Sequence, residues 1–109
     1  MIEITSLAEL NDVLADPTRL VILDCFASWC APCLQIMRLL PRLEESVADI
    51  AVIAKVEADV TEVFDLYNVK SVPTFIFFKD GVEVERFVGV KPIRDIEAMA
   101  QMIHLKATI

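Results

Sequence analysis

From Leu20 to Ala27 every position is apolar except Asp24, with no alternation of wet and dry residues. A strand with one wet face would alternate. A continuous apolar run of this length predicts a central strand covered on both sides. Ile50–Ala58 reads as a second buried strand, with Lys55 a charge inside apolar sequence. Thr74–Lys79 and Val82–Val88 flank Asp80-Gly81, a strong signal for a two-residue hairpin. Met1–Thr5 supplies a short first strand.

Between these lie helical patterns. Ser6 is placed as an N-cap with Glu9 three residues on, a capping box, and Asp16-Pro17 stops that helix near Ala15. A long helix is expected from about Cys33 to Val47, with Leu34, Met37, Leu40 and Leu43 at helical spacing. Pro41 inside it predicts a kink. Thr61-Glu62 opens a short helix through Tyr67. The last begins near Pro92 and carries Ile93, Ile96, Met99, Ala100 and Ile103 on one face. The order βαβαβαββα is that of an α/β protein: a central five-stranded mixed β-sheet flanked by four helices.

The 109 residues suit a single domain over 1–109, without repeat or linker. A hydrophobic share of 56% excludes a disordered chain. Ten basic against 17 acidic residues give a net charge of −7, which repels phosphate, so neither nucleic acid nor an anionic membrane is an expected partner. No apolar run approaches the ~20 residues of a membrane span. The first residues hold no basic n-region or apolar h-region, so no secretion signal is read and a cytoplasmic or other reducing compartment is expected.

Three cysteines are too few for a disulfide scaffold, and two form one C-x-x-C. Trp29-Cys30-Ala31-Pro32-Cys33 falls where the central strand ends and the long helix begins. Chance assembly of W-C-x-P-C from this composition has a probability of roughly 3 in 100,000. Residues three apart on a helix share a face, so two sulfurs can join with little movement. The unpaired N–H groups and positive dipole end of a helix N-terminus favour thiolate. Pro32 stiffens the first turn without losing a useful donor. Cys30, nearest the loop, is expected to be the exposed nucleophile, and Cys33, one turn inside, the resolving thiol. A zinc half-site would need two more ligands, and only Cys25 and His104 remain, far from the usual spacing.

With those residues in hand the chain resembles the thioredoxin family over nearly its whole length. The resemblance rests on Asp24, Trp29–Cys33, Lys55, Val72-Pro73-Thr74, Phe78-Lys79-Asp80-Gly81 and Val88-Gly89. It implies the thioredoxin fold and reversible dithiol–disulfide exchange with disulfide-containing protein substrates. It implies no cofactor or metal, and a separate thioredoxin reductase as electron donor, consistent with the lack of a nucleotide-binding glycine motif. A monomer is expected. By the same resemblance Asp24 lies behind the dithiol and transfers a proton from Cys33, Lys55 is its partner, and Pro73 is a cis proline against the dithiol. Trp29, Ala31, Pro32, Val72, Pro73, Gly89 and Val90 then form the substrate-binding surface.

The residues alone leave other readings open: Asp24 an exposed aspartate near a strand end, Lys55 a lysine snorkelling at a sheet edge, Trp29 a core aromatic. Cys25 reads as an inert core thiol, and His104 as a solvated residue near the last helix terminus. Met37, Met99 and Met102 read as helix-face packing, and Glu44-Glu45 with Glu83 and Glu85 as solvated faces. Ala31 stands where the family usually has glycine, and Leu34 where it commonly has lysine. Ser71 and Val90 replace small residues of the contact surface. The function expected is a protein-disulfide reductase and electron carrier. An oxidase or isomerase would typically carry histidine between the cysteines, and a binding module would need neither sulfur.

Overall fold

The computed structural model describes residues 1–107. The chain runs β1 (Ile2–Ile4), α1 (Leu7–Leu14), β2 (Leu20–Phe26), α2 (Ala31–Met37), α3 (Leu40–Ser46), β3 (Ala51–Glu57), α4 (Thr61–Leu66), β4 (Thr74–Lys79), β5 (Val82–Val88) and α5 (Ile93–Ala107). The strands form one sheet in the order β1-β3-β2-β4-β5. β3 pairs in parallel with β1 and β2, while β4 runs antiparallel to β2 and β5. This is the mixed sheet the pattern predicts.

β2 is buried at every residue. Its Val21, Leu23 and Cys25 pack with Leu10 and Leu14 of α1, Val63 of α4, and Ile76 and Phe78 of β4. On the other face Leu20 and Ile22 meet Ile36, Leu40 and Leu43 of α2 and α3, and Ile96 and Ala100 of α5. Each fully covered aliphatic or aromatic side chain contributes about 1.5–3 kcal/mol. These two layers supply most of the folding drive.

Five helices flank the sheet rather than four. The long helix expected from Cys33 to Val47 is broken at Arg38 and Leu39, where the Leu39 N–H bonds the Ile36 carbonyl in a tight turn at 2.9 Å. Pro41 has no N–H for the Met37 carbonyl, and its ring favours a fresh helix start, so the expected kink becomes a break. The buried face is Ile36, Leu40, Leu43 and Val47, while Leu34 stays exposed. Ser6 caps α1 as expected, its Oγ accepting from the Glu9 N–H at 3.1 Å. The Glu9 carboxylate reaches past Ser6 to the Thr5 N–H (3.0 Å) and hydroxyl (2.6 Å).

The hairpin turns through Asp80 and Gly81, with φ of 52° and 78°, the left-handed pair a two-residue turn requires. The β4–β5 ladder then slips by one residue: Phe77 faces Glu85, but Phe78 faces Glu83, leaving Val84 as the extra residue of a bulge. Gly81→Ala is expected to lower stability by about 1–2 kcal/mol through backbone strain. A Cβ there would meet only the Leu14 carbonyl oxygen, at an ordinary 3.6 Å. Urea unfolding of the two proteins measures the difference, and an unchanged midpoint would show that the turn does not hold this conformation.

A candidate dithiol site at the end of the central strand

β2 ends at Phe26, and four residues later Cys30 serves as the N-cap of α2. Two bonds shape the intervening loop. The Cys30 N–H donates to the Ala27 carbonyl at 3.1 Å, and the Ser28 N–H to Glu57 Oε2 at 3.3 Å. Pro32 lies in the first turn of α2, where a missing N–H costs nothing. Cys30 and Cys33, with Cα atoms 5.3 Å apart, are joined as a disulfide. Cys30 Sγ also accepts from the Cys33 N–H at 3.2 Å. That donor is one of those a helix start leaves unpaired, so it would favour thiolate at Cys30 after reduction.

The two sulfurs differ in access. Cys30 keeps 6% of its surface and Cys33 none. Trp29 is 80% exposed, so it is no core aromatic but a large apolar side chain at the surface, next to Cys30 in the chain. Ala31 and Pro32 are exposed on the same rim.

A second segment closes on the dithiol from the sheet. The Val72-Pro73 bond is cis, and the Val72 carbonyl oxygen stands 3.9 Å from Cys30 Sγ. Thr74 Oγ1 donates to the Ser71 carbonyl at 2.6 Å, and the Gly89 N–H to the Pro73 carbonyl at 2.8 Å. Gly89, with a φ of 94°, thus sits against Pro73, and Val90 next to it is exposed. Trp29 and Val72 form two walls of a surface pocket of about 410 Å³. Ala58, Phe64, Val69, Lys70 and Ser71 complete it. Of these only Ser71 stands out in the sequence as a candidate for the contact surface. Phe64 and Val69 carried no local signal, since their place in the wall depends on where α4 ends.

Asp24 is completely buried, and neither carboxylate oxygen has a hydrogen-bond partner. It is no exposed strand-end aspartate. It shares a face of β2 with Ile22 and Phe26, on the side covered by α2 and α3. Burial pushes its pKa up to about 7, and the nearby positive charge of Lys55 opposes the rise. Lys55 is its register partner across the ladder. No ion pair joins the two within 4.0 Å among the described residues, so Lys55 acts on the carboxylate through its field. Because β3 lies between β1 and β2, Lys55 is not an edge residue, and it is half-buried. Cys25 points to the opposite layer, where burial pushes its thiol up to about 12 and keeps it protonated. Met37 and Met99 pack against the core, but Met102 is exposed. His104 is half-buried, not fully solvated.

Comparison with known proteins points one way. A family model described as Thioredoxin matches residues 1–102. Thioredoxin-2 of Saccharomyces cerevisiae is 36% identical over 102 residues, covering 93% of this chain and 97% of the relative. A thioredoxin of Chlamydia caviae is 38% identical over 105 residues, covering 95% and 97%. Among solved structures, a thioredoxin of Plasmodium falciparum superposes with a TM-score of 0.84 at 29% identity, covering 94% of this chain and 98% of that one. The thioredoxin of Schistosoma mansoni gives 0.83 at 36% identity, covering 93% of each.

Asp24 makes stability pH-dependent. A carboxyl with a pKa of about 7 when folded, against an ordinary 3.8, keeps in the native state a proton that the unfolded chain has lost. The contribution of Asp24 to stability is therefore fullest below about pH 4 and falls as pH rises towards 7, by about 4 kcal/mol in all. Asp24→Asn is expected to flatten this slope and to stabilise the protein far more at pH 8 than at pH 4. Urea unfolding across that range measures it, and equal gains at both ends would contradict a proton held on Asp24.

Proposed function

The chain belongs to the thioredoxin family, protein-disulfide oxidoreductases that act by thiol–disulfide exchange, and on that premise we propose that it works as a reductase and electron carrier with Cys30 as nucleophile. The observation that carries this reading is the asymmetry of the pair. Cys30 alone reaches solvent, and its sulfur receives the Cys33 N–H at the start of α2.

In the reduced protein, Cys30 thiolate attacks one sulfur of a substrate disulfide. The substrate S–S bond breaks, its other sulfur leaves as thiolate and takes a proton from water, and a mixed disulfide forms. Cys33 then loses its proton to Asp24, whose pKa of about 7 suits an acceptor near neutrality. Its thiolate attacks Cys30 Sγ, the mixed S–S bond breaks, and the second substrate sulfur leaves as thiolate and is protonated, the proton held by Asp24 passing back to water. The substrate has gained two electrons, and the protein is left with the Cys30–Cys33 disulfide. A separate thioredoxin reductase returns the electrons. Lys55 tunes Asp24 and takes no part in bond making.

The Trp29–Val72 pocket and the rim of Ala31, Pro32, Gly89 and Val90 receive the polypeptide around the substrate disulfide. An extended segment there would pair with the Val72 backbone, as an added strand does. The direction of electron flow follows from Ala31-Pro32 between the cysteines, where oxidising relatives typically place histidine. We place the protein in a reducing compartment, acting as a monomer on disulfide-containing proteins. Among the described residues no helix is long and apolar enough to cross a membrane.

Two variants test the assignment. With dithiothreitol as donor, Cys30→Ser is expected to lose all insulin reduction above the uncatalysed rate, and equal activity in both proteins would remove the enzyme reading. Cys33→Ser is expected to trap substrates covalently on Cys30, because a serine hydroxyl is too weakly acidic to resolve the mixed disulfide. Mass spectrometry of adducts from a lysate reads the attachment site. Adducts through Cys25, or none, would show the mechanism to be wrong.

A further inference from the structure

The pocket wall opposite Trp29 is the end of α4 and the loop after it, from Phe64 to Val72. Tyr67 is the C-cap of α4, Asn68 turns through the left-handed region at φ 54°, and the Val69 N–H bonds back to the Phe64 carbonyl at 2.9 Å. A helix end leaves carbonyls without a partner. The Tyr67 carbonyl finds one across the sheet: Arg86 Nη2 donates to it at 2.7 Å. The same guanidinium grips Glu83 with two bonds, Nε to Oε2 at 2.5 Å and Nη2 to Oε1 at 2.7 Å, a charge-assisted fork.

That grip exists only because of the bulge. Residues three apart on a regular strand point to opposite faces. The extra Val84 puts Glu83 opposite Phe78 and Arg86 opposite Ile76, on the face that also carries Tyr67. The Tyr67 ring meets the Phe78 ring edge-on, 5.3 Å between centroids. Glu83 is therefore no solvated glutamate. It and Arg86 retain only 31% and 30% of their side-chain exposure.

The wall segment is thus pinned at two ends. Beyond Val72 the bonds from Thr74 and Gly89 hold it, and at Tyr67 the guanidinium does, leaving Lys70 and Ser71 exposed between them. We propose that Glu83 and Arg86 are a positioning pair, which fixes the pocket wall and so sets how tightly a polypeptide disulfide docks, without touching either sulfur. The inference rests on the exchange reaction assigned above and adds to it a specificity element built on β5.

Insulin and the small disulfide 5,5′-dithiobis(2-nitrobenzoate) separate docking from sulfur chemistry, because the small reagent reaches Cys30 without spanning the wall. In Arg86→Met the KM for insulin is expected to rise about five- to tenfold, the scale of one ordinary hydrogen bond, with kcat and the small-disulfide rate unchanged. Glu83→Ala, which leaves the guanidinium unheld, should move KM the same way and serves if Arg86→Met does not fold. Arg86→Lys, which keeps the positive charge but loses the planar fork, should recover only part of the loss. Unaltered KM in the folded variants, or parallel losses on both disulfides, would overturn the pair's role while leaving the reductase reading intact. A wild type inert towards insulin but reactive with the small disulfide would overturn both.

Discussion

Seven consecutive residues of β2 lose contact with water between two helical layers, and one of them is a carboxylic acid without a hydrogen-bond partner. Burying an ionised carboxylate unpaired costs several kcal/mol, so the group holds its proton close to neutrality instead. The same burial fixes where β2 emerges. The chain comes to the surface just after it, at Ser28 and Trp29 before the start of α2, so the dithiol, the helix N-terminus and the buried acid are set by one strand. Covered less completely, Asp24 would be an ordinary aspartate.

Around that strand end the site is assembled from segments far apart in the chain. The loop after β2 brings Trp29 and Cys30, and the turn into β4 brings Val72 and Pro73. The end of β5 brings Gly89, and α4 with its following loop brings Phe64 and Val69. Each is held by short bonds to the sheet, so the surface near the sulfurs is formed before anything binds. A preformed surface loses less entropy on binding than one ordered by its partner. On the function proposed here the dithiol supplies reactivity and this frame supplies selection, and the two depend on different residues.

The frame differs locally from what the pattern suggests. A kink expected at Pro41 is a break that makes two helices of one, and the buried face is carried by Ile36 and Val47 instead of Leu34. Leu34 is thereby left at the surface, adding apolar area near the site. The bulge at Val84 acts in the same way on a smaller scale. It converts two charged residues, which a regular strand would have sent to opposite faces, into a fork holding the end of a helix.

The order of strands and helices, the doubly covered central strand, the hairpin at Asp80-Gly81 and the W-C-A-P-C motif at a helix start were legible in the chain. Each rests on local periodicity or on residues adjacent in sequence, which a linear reading measures directly. Resemblance to a known family extended this to Asp24 and the cis proline. The depth of Asp24, the interior place of Lys55, the exposure of Trp29 and the pocket wall of Ala58, Phe64 and Val69 were decided by tertiary structure. So was the partnership of Glu83 and Arg86. The reason is physical: burial and side-chain pairing depend on which distant segments meet and in what register, and a single inserted residue in a ladder reverses which face a charge occupies.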